Sequence, residues 1–137
     1  MELKQAVGVI IENTSGQILL CKRGGEVDSD NGKWENAGGR VDPGEVPEQT
    51  AIRELKEELG IDINPGDLKL QFVSKSTDGK DRTWEVYIFK TIALVEPKIM
   101  EPDKCTELRW VNKEALANMD LAEYARQDYI NLGWIAK

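Results

Sequence analysis

Gly39-Arg40-Val41-Asp42-Pro43-Gly44-Glu45-Val46-Pro47-Glu48-Gln49-Thr50-Ala51-Ile52-Arg53-Glu54-Leu55-Lys56-Glu57-Glu58-Leu59-Gly60-Ile61 is the stretch from which both fold and chemistry can be read. Its second half predicts a helix over 47–59. Pro47 suits the first helical position, where a missing N–H costs nothing, and Gly60 suits the C-terminal cap. Ala51, Ile52, Leu55 and Leu59 form an apolar stripe. On such a helix Glu54 lies three residues from Glu57 and four from Glu58, so the three carboxylates share a face. Like charges at that spacing destabilise a helix by a few tenths of a kcal/mol per pair. Near the C-terminus the macrodipole disfavours Glu57 and Glu58 by about 0.3–1 kcal/mol each. Arg53 offsets part of this through an i,i+4 pair with Glu57. Taken alone, an acidic run on a helix is an ordinary solvated face. Local frustration, however, is expected where a site is built, and a hard cation would relieve it.

The chain leading into the helix strengthens that reading. Gly38-Gly39 permits close approach of the backbone to a ligand or metal, or a conformation closed to other residues. Asp42-Pro43-Gly44 then turns the chain and delivers Glu45 just before the helix. The full order is Gly39, five residues, Glu45, seven residues, then Arg53-Glu54-Leu55-Lys56-Glu57-Glu58-Leu59-Gly60-Ile61. It resembles the signature of the Nudix (MutT-like) hydrolases at every fixed position, apolar Leu55 and Ile61 included. Each residue type recurs at about 5–7%, so accidental agreement in register is remote.

The resemblance implies an α/β fold, a Nudix-type α/β/α sandwich with a central mixed sheet, and one domain over residues 1–137. It also implies hydrolysis of a nucleoside diphosphate linked to a further group, with Mg²⁺ as cofactor and Mn²⁺ able to substitute. Carried over, Glu57 and Glu58 are metal ligands, Glu54 is a ligand or the base, and the Gly39 carbonyl completes the shell. Arg53 orients the glutamates, and Glu45 braces the loop. Glu101 resembles the further carboxylate that the triphosphate branch takes from a distant loop, with Glu96 and Asp103 as competitors. Arg23 and Arg40 flank the site and suit substrate phosphate, with Gly38 beside them. The family commonly has Pro-Gly-Gly where this chain has Ala37-Gly38-Gly39, a departure that bears on subfamily and leaves the ligands intact.

The leading expectation is a nucleoside-triphosphate pyrophosphatase releasing a monophosphate and pyrophosphate, with oxidised or non-standard nucleotides among its substrates. Cleavage of ADP-ribose or a nucleotide sugar is the alternative within the class. A non-catalytic nucleotide-binding module is the alternative outside it, and the presence of Glu54, Glu57 and Glu58 argues against that. Isopentenyl-diphosphate isomerase shares the fold but needs further acid–base residues.

Composition sets the outer bounds. The 137 residues are 40% apolar and 31% charged, with a net charge of −7. That length suits one sizeable core, and the acidic balance does not suit a nucleic-acid polymer. The absence of histidine removes Ser-His-Asp and Cys-His catalysis and HExxH zinc sites. No apolar run is long enough for a membrane span and Met1-Glu2-Leu3-Lys4-Gln5 lacks the build of a signal peptide, so a cytoplasmic location is expected. The expected partner is a nucleotide small molecule; a homodimer is left open. Cys21 and Cys105, far apart and in strand-like contexts, are expected as buried reduced thiols.

Outside the motif, strands are expected over 4–12 and 17–22, joined by a turn at Asn13-Thr14-Ser15-Gly16, with a polar loop over 24–33. Trp34 opens a short strand running into Gly38-Gly39, and its ring is expected to pack or to stack on a base. Runs 68–77 and 82–95 read as a hairpin around Asp78-Gly79-Lys80-Asp81, with Trp84, Val86, Ile88, Ile92 and Leu94 alternating. A loop over 96–103 precedes a strand over 105–111. Asn112 is expected to cap a helix over 113–119. Asp120 is expected to cap another over 121–132, with Leu121, Ala125, Tyr129 and Leu132 facing inward.

Overall fold

The computed structural model describes residues 2–25 and 31–137; the middle of the polar loop expected over 24–33 lies outside the described residues. Strand β1 (Glu2–Glu12) is central. It runs parallel to β6 (Arg82–Ile92) along its whole length, and β6 pairs antiparallel with β5 (Lys69–Thr77). On its other side β1 pairs antiparallel with β4 (Ala37–Arg40), and at its end Glu12 meets Ile18 of β2 (Ile18–Arg23). Strand β2 carries β3 (Trp34–Glu35) and β7 (Cys105–Val111), both antiparallel. This is the expected mixed sheet. The β5–β6 hairpin turns where expected, with Asp78 accepting from Lys80 N–H at 2.8 Å, Arg82 Nε at 2.7 Å and Trp84 Nε1 at 2.9 Å.

Side-chain alternation along β1 explains the two cores. Val7, Val9 and Ile11 face one side, where they pack with Ala51, Leu55 and Leu59 of helix α1 (Pro47–Leu59) and with Phe89 of β6. Ile10 faces the other, with Ile18, Leu20 and Ile88, beneath Ala125 and Tyr129 of helix α2 (Glu123–Asn131). A period of two on the strand thus supplies a helix to each face, giving three layers.

Helix α1 begins and ends as its residues dictate. Pro47 occupies its first turn, Gln49 Oε1 accepts the Val46 N–H at 2.9 Å, and Gly60 closes the far end at φ 68°. A left-handed residue is what the helix stop requires, and glycine adopts it without a Cβ penalty.

Several expected details differ. The strand opened by Trp34 breaks at Asn36 into β3 and β4, because one half pairs with β2 and the other with β1. Strand β6 ends at Ile92, leaving Ile92 and Leu94 exposed and ending the alternation there. Residues 113–118 form a 3-10 helix without a side-chain cap from Asn112. Asp120 does not cap α2: its carbonyl accepts the Trp34 N–H at 2.8 Å while Ala122 N–H donates to the Trp34 carbonyl at 2.8 Å. Residues 120–122 are held extended against β3, so the helix starts later.

The cysteines require a correction. Cys21 and Cys105 are buried as expected, yet they are paired as a disulfide, their Cα atoms 5.8 Å apart. The β2–β7 register sets Cys105 opposite Arg23, which brings together residues 84 apart in sequence at a Cα separation a disulfide spans.

Leu55 is fully buried between α1 and the sheet. Leu55→Ala is expected to lower unfolding stability by about 2–5 kcal/mol, seen as a lower urea midpoint at unchanged slope; a loss below about 1 kcal/mol would show that this core face is not tightly packed.

Candidate functional site

The site begins where β4 meets β1 and α1. Gly38 sits opposite Gly8, and a Cβ on Gly38 would collide with the Val7 carbonyl oxygen. A Cβ on Gly39 would lie 2.5 Å from the Glu54 carboxyl. Gly38 is therefore needed for close approach to the neighbouring strand, and Gly39 lets the Glu54 carboxyl lie against its backbone.

Arg53 organises the helix start. Its guanidinium donates to Glu45 Oε2 at 2.8 Å and Oε1 at 3.0 Å, to Glu54 Oε1 at 2.9 Å, to Glu57 Oε2 at 3.3 Å and to the Arg40 carbonyl at 3.3 Å. The planar fork of arginine suits this multidentate role. Arg53 holds the Glu45 carboxyl down to about 2, helped by the Asp42 N–H and the Thr50 hydroxyl. Glu45 thus ties loop to helix.

Glu58 is partly buried. It accepts the Gly38 N–H at 3.1 Å. Burial, with Glu54 beside it, pushes it up to about 9. Glu57 is half-exposed and lies outside the cavity lining. With Arg53 engaging Glu54 and Glu57, and Glu58 turned to Gly38, no three acidic or sulfur side chains among the described residues form a ready metal cage.

The loop before β7 is fastened to the end of α1. Lys98 N–H donates to the Leu59 carbonyl at 2.9 Å and Met100 N–H to that of Glu58 at 3.1 Å. These bonds satisfy helix-terminal carbonyls and carry Glu101 to the cavity that Glu54 and Glu58 line. Of its competitors, Glu96 accepts from Trp110 Nε1 at 3.4 Å, and neither Glu96 nor Asp103 lines the cavity.

The cavity is about 570 Å³ and also takes in Gly38, Gly39, Arg40 and Arg23. Arg40 lies over the Trp84 ring at 5.2 Å. Arg23 donates to Glu35 at 2.7 Å. Trp34 is packed in the α2-side core.

The lining residues outside the motif include Glu35, Asn36, Tyr124 and Asp128, which the sequence reading did not single out. Asn36 and Asp128 are buried. Asn36 Oδ1 accepts the Tyr129 hydroxyl, and Tyr124 donates to Glu35. Burial alone pushes the Asp128 carboxyl up to about 7. The sequence does hold a signal for Asp128: it stands three residues after Ala125 and one before Tyr129, on the helix face expected to be inward.

A carboxyl raised from 3.8 to about 7 on folding makes the folded state bind the proton more tightly. Its contribution is present in full below pH 3.8 and is lost as pH rises through 7. In urea titrations of the metal-free protein, Asp128→Asn is therefore expected to gain stability relative to the parent between about pH 4 and pH 7. A difference that stays constant across that range would contradict the assignment.

The comparisons with known proteins agree with this geometry. The NUDIX domain family model matches residues 2–131. The chain is 26% identical to the nucleoside triphosphatase NudI of Enterobacter sp. (strain 638) across 97% of its own length and 99% of that protein's. It is 45% identical to the CTP pyrophosphohydrolase of Escherichia coli (strain K12), over 49% of this chain and 48% of that one. Among solved structures, the MutT NUDIX hydrolase of Burkholderia pseudomallei superposes with a TM-score of 0.78 at 29% identity, covering 93% of this chain and 95% of that one. A cavity lined by a glycine pair and the carboxylates of one acidic helix, in a chain matched almost end to end, places this protein in the NUDIX family, whose members hydrolyse the pyrophosphate bonds of nucleotides.

Proposed function

We propose that this enzyme is a divalent-metal-dependent nucleoside-triphosphate pyrophosphatase that releases a nucleoside monophosphate and pyrophosphate. The observation that carries the reading is the convergence of Glu54, Glu58, Glu101 and the Gly38-Gly39 backbone on one cavity roomy enough for a nucleotide. Similarity to a nucleoside triphosphatase across nearly both whole chains supports a triphosphate substrate.

The site's chemistry fits Mg²⁺. Its donors are carboxylate and carbonyl oxygens, the set a hard cation prefers. Desolvation first, and then Glu54 beside it, raises the Glu58 carboxyl, so a cation there would favour its ionised form. The Gly39 carbonyl, Glu54, Glu57, Glu58 and Glu101 would hold the ion, Mn²⁺ being a substitute. Bound there, it supplies positive charge that offsets the phosphates and the leaving oxygen.

The chain's own groups do the rest. Arg53 fixes Glu54 and Glu57 in orientation and keeps the helix start braced through Glu45. Arg40, beside Gly39, meets substrate phosphate; Arg23 reaches the cavity from β2. Glu54 serves as ligand or as the base that takes a proton from the attacking water.

Turnover of a nucleoside triphosphate should require Mg²⁺ or Mn²⁺, stop on chelation and resume on re-addition, with pyrophosphate as product. Orthophosphate in place of pyrophosphate, or cleavage confined to nucleotide sugars, would defeat the reading. Glu58→Gln is expected to cut kcat by orders of magnitude while the circular dichroism spectrum stays unchanged. Near-parental activity in that variant would move the metal site off this helix.

A further inference from the structure

Trp84 of β6 lines the cavity, yet the phosphate chemistry leaves it without a role. Its indole N–H donates to Asp78 Oδ2 at 2.9 Å, and the same oxygen accepts Arg82 Nε at 2.7 Å. The ring is thereby fixed from the β5–β6 turn. Two guanidinium groups lie over it, Arg40 at 5.2 Å and Arg82 at 5.7 Å. They differ in what else they bind. Arg82 is engaged by the Asp78 carboxylate. Arg40 ends β4 beside Gly39 and is exposed, and among the described residues the Trp84 ring is the partner of its guanidinium. The ring quadrupole attracts a cation placed over its face. That contact spends no N–H on a hydrogen-bond acceptor, so the planar fork stays available for a phosphate. A second hollow, of about 380 Å³, is also lined by Arg40 and Trp84, together with Asp42 and Glu45. A loose guanidinium would be drawn to those carboxylates in place of substrate.

We propose that Trp84 is a positioning residue: from the β5–β6 hairpin its ring holds the Arg40 guanidinium at the cavity, ready to take a substrate phosphate. This rests on the nucleotide reading above. An exposed arginine loses much rotamer freedom when it grips a ligand. A side chain already held in place loses less, which is the benefit of preorganisation. Trp84 thus acts through Arg40, and its effect requires no contact with base or sugar. The hairpin, which contributes nothing to the acidic helix, is joined to the phosphate chemistry by this one contact.

The test is a double-variant cycle read with inorganic triphosphate, which carries neither base nor sugar. Calorimetric titration of the full chain, with Mg²⁺ present, compares the parent with Arg40→Ala, Trp84→Leu and the double variant. Each single substitution is expected to weaken binding at least about fivefold. The double variant should bind within about twofold of Arg40→Ala, because the ring then has nothing to hold. Trp84→Phe, which keeps an aromatic face, should recover most of the affinity that Trp84→Leu loses. With a nucleoside triphosphate as substrate, Trp84→Leu should divide its effect between KM and kcat in the same proportion as Arg40→Ala. Circular dichroism checks folding; if Trp84→Leu does not fold, Trp84→Val, suited to a strand, takes its place in the cycle. Losses that multiply in the double variant, or parental affinity in Trp84→Leu, would overturn this proposal while leaving the reaction standing. A parent that takes up no inorganic triphosphate would overturn it as well. Coupling between Trp84 and Arg40 without release of pyrophosphate from any nucleoside triphosphate would sustain it while ending the proposed reaction.

Discussion

The guanidinium of Arg53 is the interaction on which the site depends. It joins Glu45 before the helix, Glu54 and Glu57 on the helix, and the Arg40 carbonyl at the end of β4. Without it, a helix carrying three carboxylates on one face would meet its own repulsion and the unfavourable end of its dipole. With it, two of the carboxylates gain a counter-charge in the absence of a cation. The third, Glu58, accepts the Gly38 N–H, while desolvation and the neighbouring Glu54 raise its carboxyl. Arg53 thus holds these side chains in a fixed arrangement, which is a form of preorganisation.

That arrangement is possible only because the backbone comes close. Gly8, Gly38 and Gly39 remove side chains where β1, β4 and α1 converge. The apolar stripe of α1 then presses the helix onto the Val7–Val9–Ile11 face of β1. Packing and chemistry are coupled here: the residues that bury the helix set the distance at which Glu54 meets Gly39. The loop carrying Glu101 is set by the same helix, since its N–H groups close onto the carbonyls of Glu58 and Leu59.

The opposite face of the sheet follows a separate logic. Helix α2 covers Ile10, Ile18 and Ile88 with Ala125 and Tyr129, yet it also turns Asp128 into the cavity. One helix face thus supplies both packing and polarity, and the cavity lining combines carboxylates and glycine backbone with an amide, a further carboxyl and apolar side chains.

How much of this was legible depended on the range of the interactions involved. Helix α1, its proline start, its glycine stop and its shared face of glutamates follow from local periodicity, and the spacing from Gly39 to Ile61 carried the family likeness and with it the sandwich fold. Long-range pairing was not written locally. Nothing near Cys21 or Cys105 announces that β2 and β7 are neighbours. Nothing near Asp120 says that Trp34 will take its carbonyl and hold it extended. Asn36 reads as one polar residue in a strand until β3 and β4 diverge around it and Tyr129 arrives from the far end of the chain. Sequence by itself determined the acidic helix and the glycine approach, because both depend on neighbours within a few residues. Tertiary structure decided which carboxylates share a cavity and what else lines it, because those groups meet only when strands and helices distant in sequence are packed together.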